Sequence, residues 1–159
     1  MKPFLITSLV LLLFGGCRKE TDDVLPADPS RLVGKWRLMN GPANYTITMT
    51  ISPMAMTGPG PMFLNQYGIS GKGPVNTYGG LLDYAPRGDS TRAGEIRITD
   101  VARGSKVGES AEAAQATDRY FNQLADVYSY GHLSNGQLRL IYGASNGFSA
   151  PSALIYQRQ

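Results

Sequence analysis

One stretch of the chain alternates strictly between apolar and polar positions, and it sets the fold class. In "NYTITMTIS", Tyr45, Ile47, Met49 and Ile51 alternate with Thr46, Thr48, Thr50 and Ser52. That is the pattern of an antiparallel strand with one face buried. "GKWRLM" from Gly34 to Met39 predicts a strand before it, and "NGPA" between them is turn material. Strand character resumes over Phe63–Ser70, Tyr78–Tyr84 and Glu95–Asp100. The intervening "PMAMTGPGPM" and "APRGDSTRAGE" read as loops.

The period then changes. Ala113, Thr117, Tyr120, Leu124 and Val127 fall on one helical face, and Phe121 widens the stripe. Ser110 can cap the N-terminus, and Glu112 lies in the first turn near the positive end of the dipole. A helix over about residues 110–126 is expected. "VYSYGHLSNGQLRLIY" follows as a hairpin about Asn135-Gly136. A two-residue turn there pairs Leu133 with Leu138 and His132 with Arg139. "SALIYQ" is the last strand. The order predicts a mostly β domain on the border of α+β: a compact antiparallel barrel-like sheet with one packed helix.

The N-terminus follows neither period. Phe4–Phe14 is apolar apart from Thr7 and Ser8. It is too short for a spanning helix, which needs about 20 residues, and it fits a secretory signal. It ends in Gly15-Gly16-Cys17. This resembles the lipobox of bacterial lipoproteins, in which the cysteine thiol is acylated and becomes the mature N-terminus. Phe14 stands where leucine is usual. The organisation expected is a lipoprotein signal peptide over residues 1–16, a disordered tether over 17–30, and one domain over 31–159. The tether holds Glu20, Asp22, Asp23, Pro26, Asp28 and Pro29. Thirteen extended steps from Cys17 to Ser30 would reach about 45 Å. The resemblance implies a cell-envelope protein held to the membrane by its lipid. Arg18 after the cysteine, in place of aspartate, points to the outer membrane over the inner.

Composition mainly excludes. Removing residues 1–16 from 159 takes away one cation, so the net charge falls from +3 to +2. Arg87, Arg92, Arg97, Arg103 and Lys106 are interleaved with Asp89, Glu95, Asp100 and Glu109. A nucleic-acid binder would gather its cations in a stripe, so no nucleic-acid partner is expected. With Cys17 the only cysteine and His132 the only histidine, there is no disulfide and no zinc set. No metal and no cofactor are expected.

Several segments together resemble the META/HslJ-like domain, a small envelope-associated family. Its opening L-x-G-x-W-x-L is matched by "LVGKWRL", with Leu32, Gly34, Trp36 and Leu38. Its central G-C-N-x-Y-x-G is matched by "PVNTYGG", with Asn76, Tyr78 and Gly80. Ser105–Gly108 stands for the stretch before the helix, Phe121 and Leu124 for its F-x-x-L, and Leu138 and Leu140 for the closing L-x-L. Val75 and Glu109 occupy positions where many members carry cysteine. The resemblance implies an antiparallel barrel with one packed helix, without an attached reaction, linked to envelope stress and drug tolerance.

The remaining candidate chemistry is sparse. Asn76, Tyr78 and Gly80 can form a small polar site, or a turn in which Asn caps backbone donors and Gly permits close approach. His132 could join Asp126 or Ser145 in a triad, but two residues from a turn it is expected to face solvent. Met54, Met56 and Met62 could offer soft ligands to copper, or simply fold onto the barrel. Arg87-Gly88-Asp89 reads as turn chemistry. No catalytic residue is assigned. The function expected is non-enzymatic envelope maintenance or stress tolerance, through a protein partner or envelope component. The alternative is a lipocalin-like barrel holding a small apolar ligand.

Overall fold

A computed structural model of the chain describes residues 24–25, 28–54, 66–85, 94–104, 110–143 and 151–159. Its elements are β1 (Val24–Leu25), a 3-10 turn (Pro29–Leu32), β2 (Gly34–Leu38), β3 (Thr48–Pro53), β4 (Gln66–Lys72), β5 (Thr77–Ala85) and β6 (Gly94–Arg103). Then follow α1 (Ala111–Ala125), β7 (Val127–Leu133), β8 (Gln137–Tyr142) and β9 (Ser152–Arg158). Each strand from β2 to β9 pairs antiparallel with the next in the chain, and β9 returns to β2 through Trp36 opposite Arg158 and Leu38 opposite Tyr156. The result is a closed barrel of eight strands. Closure removes the free edges an open sheet would carry.

Alternation decides what enters the barrel. Met49 and Ile51 on β3 point inward, while Thr48 and Thr50 are half-buried. Trp36 and Leu38 on β2, Ile96 and Ile98 on β6, Leu138 and Leu140 on β8, and Leu154 and Tyr156 on β9 continue the inner face. α1 packs on this core with Tyr120, Phe121 and Leu124. Ser110 caps it, its hydroxyl accepting from the Ala113 N–H at 3.2 Å. Among the described residues the interior is closely packed. Trp36, Tyr130, Tyr156, Met49, Leu138 and Leu140 are each no more than 1% exposed, so no water-sized space lies among them.

Two expectations are corrected. First, the β7–β8 hairpin slips by one residue. His132 pairs with Leu138 and Gly131 with Arg139. The loop is Ser134-Asn135-Gly136, closed by the Gly136 N–H donating to the Leu133 carbonyl at 3.0 Å. Only Gly136 has positive φ (80°); Asn135 does not. This is a type I turn with a glycine bulge rather than a two-residue turn. Second, part of the expected tether joins the fold. Val24 pairs with Leu133 and Leu25 with His132, and Asp28 caps the 3-10 turn through the Ser30 N–H. β6 and β1 share one edge of β7: β6 takes Ser129 and Tyr130, and β1 takes His132 and Leu133.

Candidate functional site

The slipped register turns His132 inward, and this builds the most chemically distinctive region of the barrel. On β7, Tyr130 and His132 share a face, their rings edge to face at 5.6 Å. Trp36 lies 6.2 Å from the His132 ring, and Tyr84 lies 5.9 Å from Tyr130. Gly94, opposite Tyr130, leaves room for the tyrosine ring, which a Cβ there would strike. The 3-10 turn lies beside this end: Leu32 is fully buried, and its carbonyl accepts from the Trp36 indole N–H at 2.8 Å.

The electrostatics follow from burial. His132 is 4% exposed, and its Nε2 has no hydrogen-bond partner. Burial chiefly, with Arg31 adding repulsion, lowers its pKa to about 4; Asp28 opposes this and Arg158 adds to it. The imidazole is therefore neutral at physiological pH. Burial also raises the Tyr130 phenol, whose hydroxyl is likewise unpartnered. The expectation that His132 faces solvent is overturned. Asp126 does not join it: Asp126 ends α1 and precedes β7, six residues or about 20 Å of strand away. The other triad candidate, Ser145, lies outside the described residues.

A second polar cluster sits against α1. The Tyr78 hydroxyl donates to the Thr48 carbonyl at 3.1 Å and lies 2.9 Å from the Tyr120 hydroxyl, which lies 3.0 Å from that of Tyr156. Burial raises all three phenols far above their ordinary range, so they stay protonated. Gly71 makes the chain possible: a Cβ there would strike the Thr48 carbonyl and approach the Tyr78 hydroxyl at 2.9 Å.

The five motif residues are spread over the fold rather than gathered. Trp36 and Tyr78 are core residues. Gly34 has φ 151°, and a Cβ there would sit 3.3 Å from the Arg158 guanidinium. Asn76 is buried in the β4–β5 turn, where its carbonyl accepts from the Gly73 N–H at 2.7 Å. Gly80 lies at a bulge between β5 and β6, where a Cβ would come within 3.0 Å of the Thr99 carbonyl.

Cys17, the signal segment, Met56, Met62, Ser105–Glu109 and Arg87-Gly88-Asp89 all lie outside the described residues. Met54 is exposed. Among the described residues no three His, Cys, Asp or Glu side chains converge as a metal set, and no helix is long and apolar enough to cross a membrane. A cleft of about 300 Å³ lies between α1 and the β2–β3 connection, bordered by Leu38, Asn40, Pro42, Arg119 and Gln123. Asn40 is already engaged there, donating to the Ala153 carbonyl and accepting from the Ile155 N–H. Sequence reasoning missed the Tyr130–His132 pair, because the hairpin register alone decides which way His132 points. No family model, no curated protein and no solved structure matches the chain.

Proposed function

We propose that this chain is a lipid-anchored cell-envelope domain of the META/HslJ-like type, acting without catalysis in envelope maintenance or stress tolerance. In this reading Cys17 carries the lipid, Arg18 favours the outer membrane, and the barrel is a rigid body presented to a protein or other envelope component. The observation that supports it is the closely packed interior. Trp36, Tyr130, Tyr156 and Leu138 occupy the space that a carrier of apolar ligands would keep open. Eight-stranded closure is equally the architecture of the lipocalin-like alternative, and the close packing of these side chains is what favours the non-carrier reading. Gly34, Trp36, Tyr78 and Gly80 are engaged in packing and close backbone approach, which supports a structural role for the motif.

The experiment is metabolic labelling with radioactive palmitate, beside native mass spectrometry of the delipidated chain. The expected result is label in the wild type, none in Cys17→Ala, and a mass equal to the polypeptide alone. A tightly held small molecule would overturn the non-carrier reading. Absence of label would overturn the anchor.

A further inference from the structure

We infer that the His132 end of the barrel is the membrane-facing end, seated on the headgroups of an anionic bilayer; this rests on acylation of Cys17. The direction of β1 sets where the upstream chain leaves the barrel. Val24 pairs with Leu133 and Leu25 with His132, antiparallel to β7. The chain upstream of Val24 therefore leaves past Leu133, on the side of the Ser134–Gly136 turn and away from the helix end.

The length of that upstream chain then restricts orientation. Seven steps separate Cys17 from Val24, so the lipid lies at most about 25 Å from β1. That is little more than half the reach of a tether running to Ser30. To put the opposite end of the barrel on the membrane, the tether would have to double back along β7, Leu133 to Val127. That path is about 20 Å long. The remaining 5 Å or so is no more than the headgroup layer of one leaflet. With the His132 end down, the tether instead runs straight from β1 to the lipid.

Charge at this end fits the same partner. Arg31 and Arg158 both bear on His132 electrostatically, and Lys35 is exposed beside Gly34 on the adjoining strand. The acid among them, Asp28, is already paired with Arg31 at 3.4 Å. Among the described residues here, Lys35 and Arg158 are exposed cations that an anionic headgroup surface would meet, while Asp83 and Glu95 are the carboxylates on the neighbouring strands β5 and β6. Met54, at the end of β3 on this side, is exposed and adds an apolar contact.

The test uses the full lipidated chain in vesicles of phosphatidylethanolamine and phosphatidylglycerol doped with a headgroup-nitroxide lipid. A fluorophore is placed through Ser134→Cys or, at the opposite end, through Ala43→Cys; both positions are exposed. Palmitate incorporation is measured on the same samples. The expected result is quenching several-fold stronger at position 134 than at 43. Equal quenching, or stronger quenching at 43, in a palmitate-labelled chain overturns the orientation and leaves the anchor standing. Absence of palmitate overturns the anchor, and the orientation with it.

Discussion

Lowering the pH from 7.5 to 4.5 should destabilise this protein through a single side chain. His132 titrates near 6.5 when unfolded but at about 4 in the folded barrel. Between those values the unfolded chain binds a proton that the folded chain refuses. Stability therefore falls as the pH drops through 6.5 and levels off below about 4. The full difference corresponds to about 3 kcal/mol. Solvent near this end of the barrel screens part of it, leaving an expected loss of about 2 kcal/mol. Asp28 does not confuse the window. Its carboxylate is held low by the Ser30 hydroxyl and N–H, so its contribution is lost only below the ordinary carboxylate range. The assay is urea unfolding of the chain from residue 17 onward carrying Cys17→Ser across this range, beside the same chain with His132→Leu. Leucine matches the apolar Leu138 opposite and cannot titrate. Because His132 is the only histidine, its ring-proton NMR signals can be followed directly and should titrate near 4. Parallel stability curves for the two chains, or an NMR midpoint near 6.5, would refute the reasoning.

Two further substitutions test the packing. Gly71→Ala drives a methyl group against the Thr48 carbonyl and crowds the Tyr78 hydroxyl, so a loss of about 3 kcal/mol is expected in urea melts. Trp36→Phe keeps an aromatic ring but leaves the Leu32 carbonyl without its indole donor. That should cost about 1–2 kcal/mol and speed limited proteolysis around residues 28–33; unchanged cleavage there would count against the indole bond as the fastening of the 3-10 turn.

The elements were legible where local rules suffice. The Thr/apolar alternation of β3, the helical stripe from Ala113 to Leu124 and the Ser110 cap are properties of a few neighbouring residues, and they appear where the pattern puts them. Tyr45–Ile47 were read as strand but only lead into β3, joined to β2 by the Leu38 N–H on the Ile47 carbonyl at 2.9 Å. Tyr78, which the sequence offers as part of a polar site or a turn, is a core residue instead, since its ring lies on the inner face of β5. The tyrosine chain was not legible, because Tyr78, Tyr120 and Tyr156 come from three separate elements.

By itself the sequence determined a mostly β chain with one helix, where most of its strands begin and end, and which positions along them are apolar. Tertiary structure alone decided three things. It closed β9 onto β2, it placed Val24–Leu25, expected in a tether, along the edge of β7 that β6 leaves open, and it set the hairpin one residue away from the register that Asn-Gly favours. The reason is the period of two in a strand. A slip of one residue exchanges inside for outside, so whether this hairpin closes with two loop residues or three is settled by which faces the barrel must bury. That choice, made by contacts distant in sequence, placed the only histidine in the core.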